Sequence, residues 1–118
     1  MNDTKAQAAT HHGQGTGQVV VTVYGQPGCG PCKATARSLT KRGIDYSYVD
    51  VTVYPEAYAH ITSLGFKATP VVEVKEVGGD GQSVVWAELR MDAINTLTRV
   101  HAGEVPFTAL APHDMQRV

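Results

Sequence analysis

The sequence predicts an α/β domain with the element order β-α-β-α-β-β-α. Three observations carry that prediction: a near-continuous β-branched run at Val19 to Tyr24, three amphipathic segments each closed by a glycine, and a glycine-rich turn between two short apolar runs. With 118 residues the chain suits one domain, large enough to fold around its own core without a staple or a metal.

Val19 to Tyr24 is bounded by Gly25 and Pro27, and its apolarity on both faces fits a central, covered strand. The turn from Gly25 to Gly28 delivers Cys29 to the mouth of a helix over Gly30 to Arg42, which Gly43 ends. Cys32, Ala36, Leu39 and Gly43 form its inward stripe, so Cys32 faces in and Cys29 out. Ile44 to Val51, dense in Tyr and Val, predicts a second strand reached by a right-handed crossover. Pro55 suits the first turn of a second helix with the stripe Ala57, Ile61 and Leu64, which Gly65 closes; His60 lies at the flank of that stripe. Val71 to Lys75 and Gln82 to Ala87 flank the turn Gly78 to Gly81 and read as a hairpin. A last helix over Arg90 to Ala102 buries Ala93, Ile94, Leu97 and Val100 and stops at Gly103. Domain limits follow at 1–18 for a flexible tail, 19–102 for the folded unit and 103–118 for an irregular or mobile extension, where two prolines interrupt mixed polarity.

Ten Lys and Arg against eleven Asp and Glu give no sign of a surface built for nucleic acid or an anionic membrane. The N-terminal stretch lacks the apolar core of a signal peptide and no apolar run is long enough to span a bilayer, so a cytoplasmic protein is expected. In that compartment thiols stay reduced, and two close cysteines point to catalysis or metal binding rather than to a structural bridge.

Both cysteines of the chain lie in Gln26-Pro27-Gly28-Cys29-Gly30-Pro31-Cys32-Lys33. Cys29, where a helix begins, has its sulfur near unpaired N–H groups and the positive end of the dipole, so its thiolate is favoured and it is the expected nucleophile. It would attack a disulfide in an oxidised target; Cys32, shielded and three residues on, would resolve the mixed disulfide and close Cys29–Cys32. Pro31 at a first-turn position stiffens that ring beside Gly30, and Lys33 either adds positive charge or is plain solvated surface. Two other readings compete. As a staple, a loop this short would contribute only about 2 kcal/mol. As zinc ligands, the pair is half a site, and His11, His12, His60, His101 and His113 supply no second pair at a useful spacing, so no metal is expected.

The chain resembles the thioredoxin-fold redoxins, and within them the NrdH-type, glutaredoxin-like redoxins. The resemblance covers about residues 19–100 and rests on Val21-Thr22-Val23-Tyr24 before Pro27-x-Cys29-x-x-Cys32, on Lys33-Ala34-Thr35, on Ser63-Leu64-Gly65-Phe66, on Ala68-Thr69-Pro70-Val71-Val72, and on Trp86 with Leu89-Arg90-x-Asp92. It implies a thioredoxin/glutaredoxin fold with a four-stranded mixed sheet flanked by helices. It also implies a cis Pro70 lying against the cysteine pair, with Thr69 and Pro70 joining Gln26 and Pro27 in a docking rim. Glutathione-using glutaredoxins carry a Gly-Gly and an acidic pair at the start of the last helix, where this chain has Ala87-Glu88-Leu89-Arg90-Met91-Asp92. Glu88 would oppose the anionic tripeptide by like charge. NrdH-type redoxins resemble this stretch with Trp-Ser-Gly-Phe-Arg-Pro-Asp, so Glu88 and Met91 replace a Gly and a Pro.

The family resemblance therefore implies a monomeric disulfide reductase and electron carrier that donates hydrogen to class Ib ribonucleotide reductase and is reduced by thioredoxin reductase. NADPH enters through that flavoenzyme and no cofactor is bound. Gly30-Pro31 is the thioredoxin dipeptide, which fits a reductant near roughly −270 mV. Trp86, Arg90 and Asp92 are candidates for partner recognition, Trp86 serving either in the core or in fixing the Arg90 segment. A glutathione-dependent glutaredoxin, a general thioredoxin and a redox-inactive binding module on the same fold are the alternatives.

Overall fold

The β-branched run forms β1 (Val19–Gly25), and the polypeptide then builds α1 (Gly30–Lys41), β2 (Ser47–Asp50), α2 (Pro55–Ser63), β3 (Val71–Glu76), β4 (Ser83–Ala87) and α3 (Met91–His101), followed by a 3-10 helix (Phe107–His113). The computed structural model describes residues 18–78 and 82–116. The N-terminal tail, with His11 and His12, and residues 79–81 of the hairpin turn lie outside them.

The sheet has the order β2-β1-β3-β4. β1 pairs parallel with β2 and antiparallel with β3, which pairs antiparallel with β4. The mixed four-stranded sheet flanked by helices is thus the one the sequence and its resemblance predict. Alternation along the strands sorts the core into two layers. Val21, Val23, Val72, Val74, Val84 and Trp86 pack with Leu39 of α1 and with Ala93, Ile94, Leu97 and Val100 of α3. Val71 and Val85 turn the other way and pack with Ala57 and Ile61 of α2, Val51 and Phe66.

The register gathers four connections at one end of the sheet. Gly25 pairs with Asp50, Tyr24 with Val71 and Val71 with Ala87. The loops after β1, β2 and β4 and the one before β3 therefore converge there, and Cys29 is in the first of them.

Helix ends follow one rule. Gly43 takes φ +72°, Ile44 N–H donates to Leu39 O at 3.0 Å and Gly43 N–H to Thr40 O at 3.1 Å. This is a Schellman motif, which a Cβ at the glycine would disfavour, and it brings Ile44 and Leu39 together in the core. Gly65 and Gly103 end α2 and α3 in the same way, with Phe66 N–H on Ile61 O at 3.0 Å and Glu104 N–H on Arg99 O at 2.9 Å. The motif also corrects the second strand: Ile44 belongs to the cap of α1, so β2 starts only at Ser47.

Two further corrections concern packing. On α1 the buried residues are Cys32, Thr35 and Leu39, so Thr35 takes the place expected for Ala36. The segment after Gly103, expected as irregular or mobile, buries Phe107 and Leu110 in the α1/α3 layer. Beyond the 3-10 helix the backbone runs along β4, the exposed edge of the sheet. Met115 N–H donates to Val85 O at 2.6 Å, Val85 N–H to Asp114 Oδ1 at 3.0 Å and Gln116 Nε2 to Ser83 O at 3.2 Å. An otherwise open row of backbone groups is thereby paired.

Candidate active site

Gly28, at φ +75°, turns the chain so that Cys29 becomes the N-cap of α1. Its backbone is extended, at φ −95° and ψ 103°, and its sulfur accepts the Cys32 N–H at 3.1 Å, one of the donors that a helix start leaves unpaired. Pro31 occupies the first turn, where a missing N–H costs nothing. Cys29 and Cys32 are joined as a disulfide with their Cα atoms 5.2 Å apart. Cys32 is fully buried and Cys29 half-buried, so one sulfur faces the core and the other the surface.

The loop before β3 reaches the same place. The Thr69–Pro70 peptide bond is cis. Thr69 Oγ1 lies 3.7 Å and its carbonyl oxygen 3.9 Å from Cys29 Sγ. With the disulfide closed the sulfur has no hydrogen to donate, so the hydroxyl is the donor. Pro70 O accepts the Glu88 N–H at 2.8 Å, which ties the loop after β4 to the cis-proline.

Gln26, Pro27 and Lys33 are exposed beside the pair and line a shallow groove with Ala36, Tyr48 and Asp50. Tyr48 and Asp50 are additions from β2. Its two-residue period puts them on one face, but only the pairing of β2 with β1 brings that face to Gln26. The Tyr48 ring lies over Gly25, leaving no room for a Cβ there. Burial first, then the charges of Asp50 and Tyr46, raise the Tyr48 pKa.

Trp86 is 0% exposed within the core, and its Nε1 has no hydrogen-bond partner among the described residues, so its ring is a packing element and presents nothing to a partner. Arg90 is the N-cap residue of α3 rather than its first turn. Its guanidinium grips Asp92 through Nε at 3.2 Å and Nη2 at 2.9 Å, and Nη1 donates to Met115 Sδ at 3.0 Å. Those bonds from Arg90 hold the Asp92 carboxyl at a pKa of about 2, with help from the Ala93 N–H and from His113, whose Nδ1 is 3.6 Å away. The tail after α3 thus contributes to the Arg90 cluster, a link the sequence offers no local signal for.

A second polar cluster lies on the α2 face. Tyr24 Oη donates to Glu73 Oε1 at 3.1 Å, and His60 Nε2 is 3.0 Å from the same oxygen. Glu73 is only 6% exposed, and burial followed by the Glu73 charge pushes the Tyr24 phenol well above its ordinary value. Among the described residues no three His, Cys, Asp or Glu side chains gather as a metal site, and no helix is long and apolar enough to cross a membrane.

Glu88 has φ +73°, the left-handed region in which an L side chain is strained. Glu88→Gly should therefore raise stability by about 1 kcal/mol, or a melting midpoint by about 4 °C. Thermal unfolding by circular dichroism checks this, and a lower midpoint in the variant would refute it.

The Glutaredoxin family model matches residues 21–78. The chain is 49% identical over 53 residues to the Gene 56 protein of Mycobacterium phage L5, spanning 44% of this chain and 52%, about half, of the phage protein. It is 35% identical over 77 residues to the glutaredoxin-like protein NrdH of Escherichia coli, covering 65% of this chain and 86% of that one. The solved structure of the Escherichia coli NrdH-redoxin superposes with a TM-score of 0.56 over 66% of this chain and 93% of the other. That protein is glutaredoxin-like with a thioredoxin-like activity profile. With a disulfide at the head of α1, Thr69 of a cis Thr69–Pro70 bond against it and this coverage of a known relative, the chain belongs to the glutaredoxin-like NrdH redoxins and is a thiol–disulfide oxidoreductase.

Proposed function

We propose that this redoxin is a reductant, with Cys29 as the nucleophile and Cys32 as the resolving thiol. The Cys32 N–H on Cys29 Sγ carries the reading, because a donor already aimed at the outer sulfur favours its thiolate. The two sulfurs hold both electrons, so the chemistry needs no bound cofactor. The redox unit is 19–102, held together with the core segment that follows it, and Gln26, Pro27, Gly30, Pro31, Lys33, Thr69 and Pro70 form the rim on which an extended target segment lies, its backbone meeting Thr69 and Pro70.

The target is a disulfide of class Ib ribonucleotide reductase, and the electrons come from NADPH through thioredoxin reductase. Two points support that choice over glutathione. Glu88 puts an exposed carboxylate at the opening of α3, where the anionic tripeptide would lie. The Escherichia coli NrdH-redoxin, described as having a thioredoxin-like profile, is 35% identical to this chain. The redoxin works as a monomer in a reducing cytoplasm, a compartment in which a close pair of cysteines cycles rather than staying oxidised.

Paired coupled assays test the assignment. The oxidised protein is mixed with NADPH and thioredoxin reductase, or with NADPH, glutathione and glutathione reductase, each with an oxidised class Ib reductase subunit. NADPH consumption should be rapid in the first mixture and at background in the second. Equal or reversed rates would overturn the choice of reductant.

A further inference from the structure

We propose that Thr35 is a positioning residue for the resolving cysteine: its hydroxyl, without a partner while the disulfide is closed, donates a hydrogen bond to the Cys32 sulfur once the disulfide opens. The inference rests on Cys32 being the resolving thiol and asks how a sulfur so deeply buried can become a thiolate.

The two sulfurs are unequally served. Cys29 Sγ has the Cys32 N–H at 3.1 Å and the Thr69 hydroxyl at 3.7 Å. No hydrogen bond reaches Cys32 Sγ among the described residues, and Cys32 is 0% exposed, so water does not serve it either. Thr35 is also 0% exposed, and among the described residues its Oγ1 has no hydrogen-bond partner. Cys32 and Thr35 stand three positions apart on the buried face of α1, a spacing that places side chains about 5–6 Å apart at Cβ. Helical side chains lean toward the N-terminus, so Thr35 leans over the turn that carries Cys32. A buried hydroxyl left unbonded in one state of a redox protein is accounted for if it is bonded in the other.

No charge competes for the role. β1 faces α1 with Val21 and Val23, and α3 faces that layer with Ala93, Ile94 and Leu97. The buried carboxylate Glu73 is on the opposite face of the sheet with Tyr24 and His60. Lys33, the next residue after Cys32, is exposed, and Tyr48 and Asp50 line the outer groove.

In the resolving step Cys32 thiolate attacks Cys29 Sγ of the mixed disulfide. The bond between Cys29 and the target sulfur breaks, the Cys29–Cys32 bond forms, and two electrons leave with the target. The proton given up by Cys32 is matched by the one the departing target thiolate takes up. The Thr35 O–H stabilises the attacking thiolate, and an isosteric methyl cannot.

Stopped-flow reaction of the fully reduced protein with 5,5′-dithiobis(2-nitrobenzoate) separates the two sulfurs: the first thionitrobenzoate released reports Cys29 attack and the second reports resolution. In Thr35→Val the second phase should slow about tenfold at neutral pH and its pH midpoint rise by about one unit, with the first phase unchanged and Thr35→Ser restoring both. An unshifted midpoint of the second phase overturns the proposal, as does equal slowing of both phases. If Thr35→Val does not fold, the wild-type protein decides. In its reduced form the Thr35 Cβ resonance should titrate with the midpoint of the Cys32 Cβ resonance, and a flat Thr35 signal overturns the proposal. None of these readouts involves ribonucleotide reductase or thioredoxin reductase, so they stand whichever partners the coupled assays select.

Discussion

Cys29→Ser should reduce disulfide turnover to the rate seen without the protein, whereas Cys32→Ser should keep the first attack and stop at a stable mixed disulfide. The difference follows from where α1 puts each sulfur. Cys29 caps the helix half-exposed, with the Cys32 N–H at 3.1 Å from its sulfur, a donor placed to stabilise negative charge there. A serine hydroxyl at the same place is not ionised near neutrality and leaves nothing to attack a disulfide. Cys32 is buried behind it, out of reach of a target disulfide, which fits the resolving role proposed for it. Mass spectrometry after mixing each variant with an oxidised target checks both halves: one equivalent of adduct for Cys32→Ser and none for Cys29→Ser. Turnover by Cys29→Ser, or an adduct on its remaining cysteine, would reverse the assignment of roles.

The cysteine pair was legible because its determinants are local. A β-branched run, a turn with Gly28, a proline in the first helical turn and two cysteines three apart specify the loop, the cap and the inward and outward sulfurs. The helix ends were legible for the same reason, since Gly43, Gly65 and Gly103 each take the left-handed conformation that closes a helix. What escaped depends on contacts between distant segments. Ile44 carries strand propensity, yet the cap of α1 claims its N–H, and propensity yields to that bond and to the contact with Leu39. Thr35 reads as polar beside Ala36, and only the angle at which α1 meets the sheet decides which is covered.

The groove shows the same limit. Gln26, Pro27 and Lys33 flank the motif in the chain, while Tyr48 and Asp50 arrive through the parallel pairing of β2 with β1. Trp86 and Arg90 belong to one sequence motif yet part company in space. The alternation of β4 turns the ring into the α1/α3 layer, whereas Arg90 at the head of α3 meets Asp92 and the tail. Neighbourhood in a motif therefore did not mean a shared task.

Ending the chain after Gly103 should cost at least about 4 kcal/mol of stability, because the segment beyond it belongs to the core. Phe107 and Leu110 are buried against the layer that α1 and α3 share, and truncating a buried Phe or Leu to Ala typically costs about 2–5 kcal/mol each. A domain of this size has only about 5–15 kcal/mol in hand, so the shortened protein would be marginal. Pro106 and Pro112, which suggested irregularity, are compatible with this packing: the first precedes the 3-10 helix as its N-cap and the second falls near its end. Two contributions can be separated by urea titration. Phe107→Ala with Leu110→Ala removes the core contacts but leaves Asp114 and Met115 able to cover β4, and should account for most of the loss. Asp114→Ala removes the bond to the Val85 N–H and the longer one, at 3.4 Å, to the Gln116 N–H, so it should cost about 1 kcal/mol while favouring association through the bared edge. A truncated chain with an unchanged urea midpoint would mean that the segment merely rests on the domain. The expected large shift would instead make the C-terminal segment part of the folding unit and of the support for Arg90 and Asp92 at the head of α3.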